Sequence, residues 1–201
     1  MIELKLLIVS SENVFSDVIS HLLNDLCVKS DVISLSELKN SIEIIKQYDG
    51  LIYAGGGEAS NQSDDHQIIK QLKQQLPIFG VGSGMQAIVC AFGGRLVKSQ
   101  KPVFGENSMI SHLNKGVFIN LPKRFNVVRY HAFIVDKNTF PNNELMITAE
   151  EENDCSIMAI KHRVYPIEGV QFNPESIQTN YGKELFEAFV QTVKSTKLSY
   201  A

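Results

Sequence analysis

Cysteine is scarce and badly spaced for chemistry. The 201 residues hold only Cys27, Cys90 and Cys155, odd in number, far apart and without a CxxC pair. That excludes a disulfide framework and the common zinc and dithiol motifs, and it predicts reduced, mostly buried thiols, no metal and no cofactor. No block of one charge stands out either: 19 basic against 22 acidic residues leave a net charge of −3, so neither nucleic acid nor an anionic membrane is expected as a partner. Long apolar runs are missing as well. The opening MIELKLLIVSS is interrupted by Glu3 and Lys5, too brief for a signal peptide or a membrane span, which predicts a cytoplasmic protein. There is no internal repeat, low-complexity tract or linker. What is present is 44% apolar and 20% charged residues, the balance of a soluble globular chain, and a length that predicts one domain over residues 1–201.

The first half alternates strand-like and helical patterns. Leu6 to Val9 reads as a buried strand, followed by a helix with Val14, Val18 and Leu22 on its apolar face after a polar start at Ser10 to Asn13. Val32 to Ser34, Leu51 to Ala54 and Pro77 to Val81 read as further strands. Between and after them come a helix at His66 to Leu76, with Ile68, Ile69, Leu72 and Leu76 inward, and one at Met85 to Phe92 closed by Gly93-Gly94. Repeated strand–helix units predict an α/β fold, an open, mostly parallel sheet covered by helices on both faces. From Arg95 to about Phe172 the texture changes to short β-type runs at Gly116 to Ile119, Val127 to Tyr130, Phe133 to Val135, Leu145 to Thr148 and Ile157 to Ile160. These predict antiparallel strands added to the parallel core. Leu185, Phe189 and Val193 mark a last amphipathic helix over Gly182 to Val193.

In such a sheet ligands sit beyond the carboxyl ends of the strands. Two glycine-rich loops fall there: Gly55-Gly56-Gly57-Glu58 after the third strand, and Gly82-Ser83-Gly84 between the fourth strand and its helix. A strand, a sharp G-x-G turn and a helix make the geometry of a nucleophile elbow, which aims backbone N–H groups at a developing oxyanion. The residue at the tip, Gly82, has no side chain. The same glycines also suit tight turns alone.

The elbow phrase PIFGVGSGMQAI resembles the PILGVCLGMQAI-type segment of class I glutamine amidotransferases, in particular the glutaminase subunits of anthranilate synthase and aminodeoxychorismate synthase. Nearly the whole chain shares the resemblance. LIYAGGGEAS looks like that family's glycine-rich oxyanion loop, VVRYHAFIV like its RYHSL segment, and GVQFNPES like its GVQFHPES block. The resemblance implies a flavodoxin-like fold and hydrolysis of the glutamine side-chain amide by a Cys-His-Glu triad. Ammonia would then pass through a tunnel to a chorismate-using partner subunit.

Carried over residue by residue, the nucleophile position matches Gly82 and the histidine position matches Asn173, while Glu175 is retained. Losing a triad nucleophile costs about a millionfold in turnover, and losing the base as well adds little because the triad acts as a unit. The expectation is therefore a degenerate subunit without family-type glutamine hydrolysis. The substrate pocket is better kept. Gln86 matches a substrate-binding glutamine, Gly55, Gly57 and Ser83 match the oxyanion segments, and Ala132 and Phe133 fall where main-chain groups contact the glutamine backbone. Phe104-Gly105-Glu106 replaces a His-Gly-Lys near the partner face. The partners so implied are L-glutamine and a chorismate-utilising synthase subunit. Two other functions fit the same residues: a stand-alone glutamine or metabolite sensor, and an amidohydrolase with chemistry relocated to Ser83, His131 or Glu175. Cys90, about 12 Å along the helix from Gly82 at ~1.5 Å per residue, reads as core, and His131 and His162 read as structural histidines.

Overall fold

Alternation of apolar residues along the first strand decides the architecture. In β1 (Lys5–Ser10), Leu6 and Ile8 enter one hydrophobic cluster while Leu7 and Val9 enter another, so the strand is buried on both faces. The computed structural model describes residues 3–10, 14–55 and 65–199. In it β2 (Lys29–Ser34), β1, β3 (Gly50–Gly55), β4 (Ile78–Val81) and β9 (Ile167–Val170) form consecutive parallel pairs. Beyond β9 the sheet continues through β8 (Ile157–His162), β7 (Leu145–Glu151), β5 (Leu96–His112) and β6 (Arg124–Val135), all antiparallel pairings. The nine strands make one sheet in the order β2-β1-β3-β4-β9-β8-β7-β5-β6. The expected parallel core with antiparallel additions is what forms.

Helices cover both faces. The helix α1 (Val14–Asp25) and the C-terminal α5 (Gly182–Ser199) pack on one side, where Phe79 of β4 stacks on Phe189 at 5.3 Å and meets Phe186 edge-on at 5.9 Å. On the other side lie α2 (Leu35–Asn40), α3 (Asp65–Leu72) and α4 (Ser83–Ala91), with Leu38, Ile68, Ile69, Leu72, Met85 and Ile88 buried among them. Helix α2 starts on a reciprocal capping box, Ser34 accepting from Glu37 N and Glu37 from Ser34 N.

Several expectations need correction. In α1 the buried apolar residues are Ile19 and Leu23, with Ser16 buried beside them, while Val18 faces solvent. The helix carries two neighbouring apolar stripes, and packing against α5 selects the second. The polar start expected over Ser10 to Asn13 falls partly outside the described residues, Ser10 itself ending β1. Gly116 to Ile119 is no strand: residues Gly116–Phe118 form a 3₁₀ turn, for which Gly116 takes φ +60°. The two runs Val127 to Tyr130 and Phe133 to Val135 are one strand, β6, which runs on through His131 and Ala132 although its register against β5 shifts between His131 and Phe133. Of the three thiols, all free, only Cys90 is buried, and burial pushes its pKa up to about 11. Cys27 and Cys155 lie exposed at positive-φ turn positions, which take them off the helix and strand faces that form the core. Among the described residues no helix is long and apolar enough to cross a membrane.

Candidate functional site at the β4 and β9 ends

The parallel neighbours β4 and β9 end level with each other, Val81 opposite Val170. Gly82 then donates its N–H to Val170 O at 2.8 Å and turns the chain into α4 with φ +59° and ψ −118°. An L side chain rarely adopts this conformation, and the space around it is open: a Cβ built on Gly82 would meet nothing within 4 Å. Two residues on, the opposite holds. A Cβ on Gly84 would lie 1.9 Å from Tyr53 O, so the first turn of α4 rests directly on the backbone of β3. The sequence therefore places a positive-φ glycine facing open space, on a base packed too closely for any side chain at Gly84.

Beyond β9 the chain passes Gln171 and Phe172 and reaches Asn173, whose N–H donates to Val128 O of β6 at 2.9 Å. Thr179 ties this turn down, its hydroxyl donating to Asn173 O at 2.7 Å while accepting from Val128 N at 3.0 Å. Asn173 Nδ2 donates to Glu175 Oε1 at 2.6 Å. Glu175 is 8% exposed, and its Oε2 is buried without a hydrogen-bond partner. Burial raises the pKa of this carboxyl, against the lowering effects of the Asn173 amide and the residue's own backbone N–H.

The wall between these two turns is polar and buried. Gln86, one turn into α4 and 2% exposed, donates from Nε2 to Phe133 O and to Gln171 Oε1, both at 2.8 Å. Gln86 thus holds the Phe133 carbonyl of β6 in place, with its amide nitrogen occupied. Gln171 Nε2 is a buried donor without a partner. Behind Phe133, Arg129 has a side chain only 3% exposed. Its Nε donates to His131 Nε2 at 3.2 Å, its Nη1 to Ser108 at 3.3 Å, and its Nη2 to Asp154 at 2.9 Å and Ser156 at 3.4 Å. Because Nε2 of His131 accepts, the ring proton sits on Nδ1, which completes no hydrogen bond and makes only a weak approach to the Phe133 backbone. Burial first, and the Arg129 charge second, push the His131 pKa down to about 4.

Gly82, Gln86, Phe133, Asn173 and Glu175 are thus tied to one rim of the sheet by these strand pairings and hydrogen bonds. Ser83 opens α4 beside the tip, half-buried, and Ala132 is half-buried on β6 next to Phe133. Gly55 ends β3, whereas Gly57 lies outside the described residues. His162 is elsewhere, packed between Phe92 and Tyr165 with Nε2 on Glu144 at 3.2 Å, a structural histidine as expected. Sequence reasoning missed Gln171, Thr179, Arg129 and Asp154. Arg129 and Gln171 lie inside RYHAF and GVQFNPES and Thr179 three residues beyond the latter, which was the available signal; Asp154 is remote from both motifs in the sequence and carried none. Among the described residues no group of three His, Cys, Asp or Glu side chains is placed to hold a metal.

The glutamine amidotransferase class-I family profile matches residues 7–193. The chain belongs to the class I glutamine amidotransferases. Relatives share the same character over most of this chain. It is 38% identical over 194 residues to an "Anthranilate synthase component 2" from Cyanophora paradoxa, covering 92% of this chain and 97% of that one. It is 40% identical over 126 residues to an "Aminodeoxychorismate/anthranilate synthase component 2" from Bacillus subtilis, covering 63% of this chain and 64% of that one. Against the Arabidopsis thaliana "Anthranilate synthase beta subunit 2, chloroplastic" the identity is 38%, and the match spans 61% of the plant chain's length. The fold is shared more widely: a Thermoplasma acidophilum protein provisionally assigned to GMP synthase superposes with a TM-score of 0.88 at 23% identity, covering 100% of this chain and 98% of that one. The chain is therefore related to anthranilate and aminodeoxychorismate synthase component 2 proteins.

Proposed function

We propose that this chain is a component 2-type subunit that has kept the amidotransferase scaffold and does not hydrolyse glutamine. One observation carries the reading. At the elbow tip, where the family pattern has its cysteine, stands Gly82, and the side chain hydrogen-bonded to Glu175 is the amide of Asn173, which has no basic nitrogen. A thiolate must attack the amide carbon and a base must move the proton. Neither group is supplied at these two positions. The Cys90 thiol is buried at the far end of α4 with its pKa raised to about 11, which keeps it in the unreactive neutral form. His131 accepts its hydrogen bond from Arg129, so its basic nitrogen is already engaged.

The role that fits is a binding or regulatory subunit for a chorismate-utilising synthase, the synthase drawing on free ammonia. Phe104, in the β5 segment that departs from the family's His-Gly-Lys, meets Tyr130 of β6 at 5.2 Å, and both rings are more than half exposed. A reconstituted pair tests the reading: this protein with the chorismate-utilising synthase subunit encoded in the same genome, supplied with ammonium or with glutamine. The expected result is a complex that forms product from ammonium and not from glutamine. Glutamine-dependent product overturns the absence of hydrolysis, and failure to associate overturns the subunit role.

A further inference from the structure

Glu168, in β9, is a buried charge on the side of the sheet away from α4. Its neighbour Gly169 packs on Met85 of α4, so the alternation of the strand turns Glu168 to the face that carries α5. There Lys161 Nζ donates to Glu168 Oε1 at 2.8 Å and Val117 N donates to Oε2 at 2.7 Å. Gly116 makes room for the carboxylate, since a Cβ on it would lie 1.9 Å from Oε2. The Glu168 side chain is 4% exposed and that of Lys161 30%. An ammonium has three N–H donors. Glu168 takes one of them, and Lys161 has no other hydrogen-bond partner among the described residues.

Both residues line a cavity of about 920 Å³ between α5, the segment 116–121 and the end of α1, a size that suits a ligand. Tyr165 and Pro166, just before β9, share a smaller cavity with Thr196, which sets the Lys161–Glu168 pair near the last turns of α5. Glu184 and Glu187 line the large cavity from the first turns of that helix. Both are exposed, and neither forms an ion pair among the described residues. Glu187 lies nine residues before Thr196, about 13 Å along the helix axis. The lining also holds apolar surface: Leu26 and Leu121 are half-buried and Ile119 is 54% exposed.

We propose that this cavity is a docking groove for the C-terminal tail of a partner chain. The tail's free carboxylate sits on Lys161, its apolar side chains on Leu26, Ile119 and Leu121, and a Lys or Arg about three residues before its end at Glu184 and Glu187. Charge complementarity selects this occupant. A purely anionic ligand meets the two exposed carboxylates, and a purely cationic one meets the ammonium of Lys161. The separation of the charges excludes a single amino acid, whose ammonium and carboxylate share one carbon. An extended chain covers about 10 Å in three residues, and a long basic side chain supplies the remaining reach. The groove does not depend on whether the rim at β4 and β9 hydrolyses glutamine.

Calorimetry and NMR amide-shift titration of the full chain test the proposal, with the peptide acetyl-Ala-Lys-Leu-Ala-Leu as free acid and as C-terminal amide. The acid is expected to bind with a Kd of about 100 µM or tighter and to shift amides within residues 116–121 and 184–196, and the amide form to bind at least about 10-fold more weakly. Glu184→Lys/Glu187→Lys changes only exposed side chains. It is expected to weaken the acid at least about 10-fold while keeping the preference for acid over amide. Lys161→Met/Glu168→Gln removes the two buried charges together and is expected to abolish that preference. If this second variant fails to fold, the comparison of acid with amide on the wild type carries the same test. No binding at about 1 mM peptide, equal affinity for the two forms, an unchanged affinity in the Glu184/Glu187 variant, or shifts confined to other residues would each overturn the proposal. So would spermidine binding as tightly as the peptide, which would make the exposed carboxylates the whole site, and a dimer of this chain that covers residues 184–196 and shuts the peptide out.

Discussion

His131 makes the pocket wall depend on acid in a way that can be worked out. Its imidazole is buried beside the Arg129 guanidinium and takes protons only near pH 4, whereas in the unfolded chain it takes them near 6.5. The folded value lies below the unfolded one, so between them the unfolded chain binds the extra proton. The stability is fully present above pH 6.5 and drains away as pH falls toward 4. Linkage between those two values gives a loss of about 2 kcal/mol at pH 5 relative to pH 8, and about 3 kcal/mol once both states are protonated. Urea unfolding at pH 8, 6 and 5 measures it, with His131→Gln as the comparison, since a glutamine carbonyl can accept from Arg129 Nε and has no proton to gain. The wild type is expected to lose about 2 kcal/mol more than the variant between pH 8 and pH 5. Parallel slopes for the two proteins would refute the buried, neutral His131.

Three further outcomes follow from the same contacts. Gln86→Leu strips the donor from Phe133 O, a part-buried acceptor, and from Gln171 Oε1, a buried one, and is expected to cost about 2–4 kcal/mol in denaturant unfolding. Gly84→Ala forces a methyl against the Tyr53 carbonyl and is expected to lower the melting temperature by several degrees, at a cost of about 3 kcal/mol. Glu175→Gln removes a buried carboxylate whose pKa is raised. Because the folded protein holds that proton more tightly than the unfolded chain, the carboxylate is a burden that grows as pH rises above the ordinary carboxyl range. The variant is therefore expected to gain stability relative to the wild type as pH rises from 4 to 8 in the same urea assay.

The parallel half of the fold is legible because its inner strands are buried on both faces and read as unbroken apolar runs, such as Leu6 to Val9 and Leu51 to Ala54. The antiparallel half is harder. β5 runs from Leu96 to His112 through Lys98, Lys101, Glu106 and other exposed residues, with Gly105 at φ +75° and two breaks in register against β6, so no apolar alternation marks it. β9, only four residues long, merges in the sequence with the motif that follows it. At the site, the elbow and the GVQFNPES turn are visible as local patterns, since each is set by a few adjacent residues. The network through Arg129, His131, Asp154, Gln86 and Gln171 joins β6, α4 and the turns after β7 and β9, and sequence spacing holds no record of such pairings. The sequence pattern marks Gln86 as a ligand contact; its amide nitrogen serves the protein's own wall.

The proposed function keeps the backbone turns of the site at this rim and lacks the two reacting groups, at Gly82 and Asn173. Ammonia release from L-glutamine by the wild type and by a Gly82→Cys/Asn173→His double variant, each with and without the synthase subunit, tests it most directly. No release above background is expected from the wild type, and measurable release from the double variant, whose thiol enters the open space at the tip and whose imidazole takes the place of the amide on Glu175. Release by the wild type, or a double variant that binds glutamine and leaves it intact, would contradict it.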